Sequence, residues 1–230
     1  MSAHTLHPSA RPLTYAEQRV LIVCIALAAA YWLSLWGPDY PGHWLLKASP
    51  MLLAAGTVLR GLAPRFGIPM AVGFVAAAGG DSFLALDRSG FLMQALLCFL
   101  VTQVAYIVAF SGQSRPLGQR WKWWLPAVLY GGALYWVMLP GLGDFLLPVL
   151  VYVTLLVKMV IAASLVEHRP GLLLVGAALF LVADSLIGIN RFVAPFPAAE
   201  PIIVAIYTTG QLIILAGALK ALPGRPGKPG

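Results

Sequence analysis

GGDSFLALDRSG, residues 79–90, follows the apolar run FGIPMAVGFVAAA (66–78) and puts an aspartate, Asp81, close to its end. VADSLIGINR (182–191) has the same form: it closes the apolar run GLLLVGAALFL (171–181) and carries Asp184. In both, Asp-Ser is followed by five residues and then Arg, at Arg88 and Arg191. An isolated carboxyl in such a run is out of place in water-soluble packing and costly in a bilayer, so the surroundings of these runs decide the fold.

The surroundings are those of a membrane. Of 230 residues, 60% are hydrophobic and 10% are charged, and the mean hydropathy is +0.85. A soluble domain is about 45–50% apolar and about 25% charged. The apolar stretches approach the ~20 residues that a helix needs to cross a bilayer. Eight spans are expected, at 18–36, 43–60, 66–86, 90–111, 122–139, 145–166, 171–190 and 200–220. The connections are short and hold turn residues, as in GPDYPG, GLAPR, PGLGD and EHRPG, so neighbouring spans run antiparallel. Residues 1–17 form a polar N-terminal tail without a cleavage pattern, 18–221 the transmembrane domain, and 222–230 a basic tail with no core to join. The fold class is all-α.

The net charge of +7 does not require a nucleic acid, because the basic residues sit in loops. With both termini cytoplasmic, the inner segments carry eleven Lys and Arg and the outer loops only Arg88 and Arg191; Lys47 and Lys158 fall inside spans. This asymmetry favours eight spans, with a bacterial cell membrane as the expected setting. Asp81 and Asp184 in the third and seventh spans, Lys47 and Lys158 in the second and sixth, and Tyr106 and Tyr207 in the fourth and eighth suggest two parallel four-helix halves. The two cysteines, Cys24 and Cys98, lie in apolar segments as packing residues, and no disulfide is implied.

A charge at the bilayer centre costs roughly 2.5–3.5 kcal/mol on insertion scales. Asp81, Asp184, Lys47 and Lys158 therefore face partners or a cavity, either as structural ion pairs or as a site. Each Asp lies seven residues before an Arg, on one helix face and about 10 Å away along the axis. An amphiphile with an anionic headgroup has this layout, with phosphate at the headgroup level and its reactive linkage below; simple interfacial anchoring by the arginines fits as well. Tyr207 and Gln211 share a face, as do Gln103 and Tyr106; such residues serve a carboxyl, a substrate oxygen or interhelical packing. WKWW (121–124) reads as an interface belt. The four histidines, His4, His7, His43 and His168, lie in the tail, at a helix start and in a loop. They provide neither a converging zinc set nor a Ser-His-Asp triad. Ser82 and Ser185 each adjoin an Asp, but adjacent helical positions point apart. Two membrane carboxyls remain.

These residues also carry a resemblance. KASPMLL (47–53), GGDSFLAL (79–86), LLPVLVY (146–152), LFLVADSLIGINRF (179–192) and YTTGQLI (207–213) occur in the order of segments that are similar to those of the YhhN family of membrane proteins, whose characterised members are lysoplasmalogenases. The chain departs from it at Gln103, where the family usually has His before x-x-Tyr. The resemblance implies hydrolysis of the vinyl ether of a lysophospholipid to a fatty aldehyde and a glycerophospho-alcohol, with the lipid bilayer as the other partner. Vinyl ethers yield to acid: protonation of the alkene carbon gives an oxocarbenium ion, which water attacks. That chemistry needs one carboxylic acid and one carboxylate and neither metal nor organic cofactor. Asp81 and Asp184 are the expected pair, with either as the acid. Arg191 is expected to face the phosphate, and Lys47, Gln103, Tyr106, Tyr152, Lys158, Asn190, Tyr207 and Gln211 are the expected supporting set. A proton-coupled carrier, or a scaffold whose polar residues only join helices, fits the same intramembrane charges.

Overall fold

The computed structural model describes residues 12–38, 40–87 and 90–225, and in them the chain forms eight α-helices. These are α1 (Tyr15–Ser34), α2 (His43–Gly61), α3 (Pro64–Leu86), α4 (Leu92–Ser111), α5 (Trp121–Met138), α6 (Leu146–Leu165), α7 (Gly171–Phe192) and α8 (Ala199–Ala221). Short 3-10 turns precede α5 and α6. The helices α1, α3, α4, α6, α7 and α8 are long and apolar enough to cross a membrane. By contrast, α2 carries Lys47 and Arg60, and α5 opens with Trp121-Lys122-Trp123-Trp124. Trp121 and Trp123 are exposed at that helix end.

Local chemistry sets the helix starts. Thr14 and Glu17 form a reciprocal capping box on α1, with the Thr14 hydroxyl accepting from the Glu17 N–H at 3.3 Å and the Thr14 N–H donating to Glu17 Oε2 at 2.9 Å. Pro64 opens α3, where its missing N–H leaves no bond unmade. Pro50 lies inside α2 and cannot donate to the Leu46 carbonyl. The neighbouring Ser49 hydroxyl donates to that carbonyl at 2.9 Å, so the turn that presents Lys47 stays satisfied.

The helix pairs α1–α2, α2–α3 and α3–α4 pack together in the first half, and α5–α6, α6–α7 and α7–α8 pack in the second. Helix α4 also packs on α6 as α8 does on α2. These pairings recur between the two groups of four helices, whereas α1–α8 and α5–α7 have no counterpart of comparable extent. Lys47 and Lys158 do not follow the correspondence: Lys47 is buried, whereas Lys158 is exposed on the outer face of α6.

Helix α7 meets α8 through glycine. A Cβ on Gly176 would lie 2.7 Å from the Gly210 carbonyl oxygen and 2.8 Å from the Ile214 nitrogen. These are backbone atoms, which cannot turn aside. Lipid chains are as apolar as leucine, so close backbone approach is a main source of helix association in a bilayer. Gly176→Val is therefore expected to destabilise the protein by about 2–3 kcal/mol or more, read as a fall in detergent melting temperature. Gly56, whose added Cβ would meet nothing within 4 Å, is the control: Gly56→Ala should leave the melting temperature unchanged or raise it.

The C-terminal segment corrects the expectation of a tail from residue 222. Leu222 is buried in the core. The Ala63 N–H donates to the Pro223 carbonyl at 2.9 Å, and the Arg225 N–H donates to the Gly61 carbonyl at 3.2 Å. The turn between α2 and α3 leaves backbone groups without helical partners, and residues 222–225 supply them. Residues 226–230, Arg11 and Arg88 lie outside the described residues.

Candidate functional site

The helix α3 carries Asp81 in its last two turns, and α7 carries Asp184 about two turns from its end. Both side chains point inward: Asp81 is 1% exposed and Asp184 is 8% exposed. They lie within electrostatic reach of each other. A tyrosine from another helix holds one oxygen of each. The Tyr207 hydroxyl on α8 donates to Asp81 Oδ2 at 3.0 Å, and the Tyr152 hydroxyl on α6 donates to Asp184 Oδ2. The second oxygen of each carboxyl, Oδ1, is buried and has no hydrogen-bond partner. In natural interiors such atoms are uncommon.

The helices α4 and α8 complete the polar cluster. The fully buried Tyr106 hydroxyl donates to Gln211 Oε1 at 2.8 Å. Gln211 Nε2 and both amide atoms of Gln103 are buried without partners. The Gln103 amide approaches the Tyr152 hydroxyl without meeting hydrogen-bond geometry. Lys47 is buried within the field of Asp81, and its Nζ lies 5.6 Å from the centroid of the Tyr31 ring. Phe99 packs edge-on against Phe180 and Tyr207, and the Phe180 ring lies against Tyr207. These rings pack on the ring of Tyr207 from two sides.

An apolar cleft of about 40 Å³ reaches the cluster between α4, α5, α6 and α7, with Leu84 of α3 also on its wall. Leu92, Phe99, Leu134, Met138 and Tyr152 line it, and Asp184 is its only carboxyl among the described residues. Asp184, Gly188 and Arg191 follow one face of α7; all three line the cleft, with Arg191 exposed at its outer end. Asp81 does not line the cleft, although Leu84 on the next turn of α3 does.

Of the residues expected from sequence, the structure brings together Asp81, Asp184, Lys47, Gln103, Tyr106, Tyr152, Tyr207 and Gln211. It does not bring Lys158 or Asn190 to them. Lys158 is on the exposed face of α6, and Asn190 Oδ1 accepts from the Phe196 N–H at 3.1 Å, which fastens the connection between α7 and α8. The serines beside the aspartates are occupied with their own helices: Ser82 donates to the Ala78 carbonyl at 2.8 Å and Ser185 to the Leu181 carbonyl at 2.6 Å. Sequence reasoning missed Phe99, Phe180 and Tyr31. The spacing of Phe99, Gln103 and Tyr106 along one face of α4 is a signal that could have found the first; Tyr31 meets Lys47 only through tertiary packing.

These features define a polytopic helical membrane protein with a carboxyl-pair site inside the bundle, reached from an apolar cleft. The chain belongs to the YhhN family, which it matches over residues 42–218. It is 32% identical over 216 residues to the lysoplasmalogenase TMEM86A of Bos taurus, covering 84% of this chain and 86% of that one. The human TMEM86A is 30% identical over the same shares. The lysoplasmalogenase of Mycobacterium tuberculosis is 31% identical over 199 residues, which is 79% of this chain and 73% of that protein. No solved structure matches the chain.

Proposed function

We propose that the protein hydrolyses the vinyl ether bond of lysoplasmalogens, releasing a fatty aldehyde and a glycerophospho-alcohol. The observation that carries this reading is the pair of buried carboxyls, each with one oxygen held by a tyrosine and one left over, beside an apolar cleft with Arg191 at its outer end. The names of the relatives support the substrate class. All eight helices cross the bilayer in this reading, with both termini on the cytoplasmic side of a bacterial cell membrane; the short connections and the excess of Lys and Arg at the ends bearing the termini support it.

The roles of the carboxyls follow from position and charge. Asp184 faces the cleft and is the acid. Asp81 lies off the cleft wall in the field of the Lys47 ammonium and is the carboxylate. With Lys47 charged, one carboxylate and one carboxylic acid leave the buried group without net charge, the least costly state out of water. Asp184 gives its proton to the alkene carbon, and the oxocarbenium ion forms beside the Asp184 carboxylate, with the Asp81 carboxylate off the cleft wall. Water bonds to the cationic carbon and yields a proton to Asp81. The hemiacetal then collapses: Asp184 takes the hydroxyl proton, the Asp81 proton passes through a second water to the departing glyceryl oxygen, and both groups end as they began. Each proton transfer is the kind of step for which a placed side chain supplies about 10²–10⁴-fold.

The test is release of aldehyde from lysoplasmenyl-ethanolamine by the detergent-purified protein, measured beside lysophosphatidylethanolamine, which lacks the vinyl ether. Gradient-driven uptake without product would favour a carrier instead. Arg191→Gln should raise KM by about tenfold, as expected for loss of a charged contact to phosphate, and change kcat less than threefold, since uniform binding contributes to KM alone. An unchanged KM would remove Arg191 from phosphate binding.

A further inference from the structure

The unpartnered atoms of the site do not match one another by contact, yet they match in kind. Gln103 and Gln211 each present amide N–H donors at Nε2, while Asp81 Oδ1 and Gln103 Oε1 are acceptors and Asp184 Oδ1 carries the proton of the acid. All three tyrosine hydroxyl hydrogens are already committed: Tyr207 to Asp81, Tyr152 to Asp184 and Tyr106 to Gln211. The group that satisfies both sets must accept from an amide and donate to a carboxyl oxygen. A metal cation can only take the acceptors and leaves both amides unmet. An inorganic anion takes the amides and is repelled by the carboxylate. Water does both.

Position selects water over a substrate hydroxyl. The cleft wall includes Asp184 and Tyr152 but not Gln103, Gln211 or Asp81. Gln103 and Gln211 are 0% exposed. The amides therefore stand off the surface that a lipid would touch: Gln103 neighbours Tyr152 of the cleft wall, and Gln211 is held by Tyr106, which lies in the field of Asp81.

We infer that Gln103 and Gln211 form a hydration site between Asp81 and the cleft, and that it supplies the water consumed in hydrolysis. This rests on the hydrolase reading above. The Gln103 amide N–H donates to the water oxygen, and the water donates one hydrogen to Asp81 Oδ1. When the oxygen bonds to the cationic carbon, that hydrogen passes to Asp81 and the other stays on the hemiacetal hydroxyl; Gln103 keeps its protons. Gln103 is thus a positioning residue, which acts through the water and does not touch the lipid.

The test compares wild type, Gln103→Met and Gln103→His. Methionine keeps the length and apolar stem without the amide, and a neutral imidazole keeps one donor and one acceptor. Aldehyde release by the wild type comes first; its absence would remove the hydrolase reading itself. Given release, Gln103→Met should lower kcat by about 30–100-fold with KM changed less than threefold and the melting temperature not lowered. Gln103→His should return kcat to within about fivefold of wild type. A Gln103→Met enzyme with kcat within threefold of wild type would overturn the hydration site. So would equal losses in both variants accompanied by a lower melting temperature, which mark a packing role. Should Gln103→Met not fold, Gln103→His alone decides: recovery within fivefold supports the site, and a larger loss in the folded protein overturns it.

Discussion

Asp184→Asn is expected to lower aldehyde release by about 10³-fold or more, because the variant has no proton to give to the alkene carbon. The change is otherwise small. An asparagine carbonyl can accept from Tyr152 as the carboxyl oxygen does, and the side chain keeps its shape on the cleft wall. The melting temperature should therefore stay within a few degrees, and affinity for the unreacted lysolipid should change less than threefold. The measurement is single-turnover aldehyde formation, with lysolipid binding determined separately. A folded Asp184→Asn protein that keeps more than a tenth of the wild-type rate would overturn its assignment as the acid.

Asp81→Asn is expected to cost about 10²–10³-fold in the same assay, and here activity and stability separate. Removing the carboxylate takes the charge of Asp81 out of the field of the buried Lys47 ammonium. Removing one member of a buried charge pair commonly costs about 3–5 kcal/mol, so the melting temperature should fall as well. Adding Lys47→Met should restore the melting temperature and leave the activity low. Recovery of activity in the double variant would mean that Asp81 serves folding and not the reaction. Combining Asp81→Asn with Asp184→Asn should be little worse than Asp184→Asn alone, since groups that act on one proton inventory fail together. Additive losses would separate them into independent roles.

Much of the fold was legible in the chain. Eight apolar runs between turn residues became eight helices, with ends within a few residues of those expected. The seven-residue interval from Asp184 to Arg191 does put both on the cleft face of α7. The segment 222–225 was not legible as structure, because its role is to satisfy backbone groups of a turn distant in sequence. Nor could Lys158 be told from Lys47: each is a single lysine in an apolar helix.

The physical reason is the solvent. In water, an amphipathic stripe shows which face of a helix is buried. In a bilayer both the lipid face and the core face are apolar, so periodicity tells which residues share a face and not where that face is turned. The sequence by itself determined the membrane class, the helices and the two intramembrane aspartates, because these depend on hydropathy and on the cost of burying charge. Only the tertiary structure decided that α3 and α7 both turn their aspartates into the interior, each against a tyrosine of another helix, that Asp184 alone of the pair meets the cleft, and that Lys158 and Asn190 stand apart, because those facts depend on which helices touch.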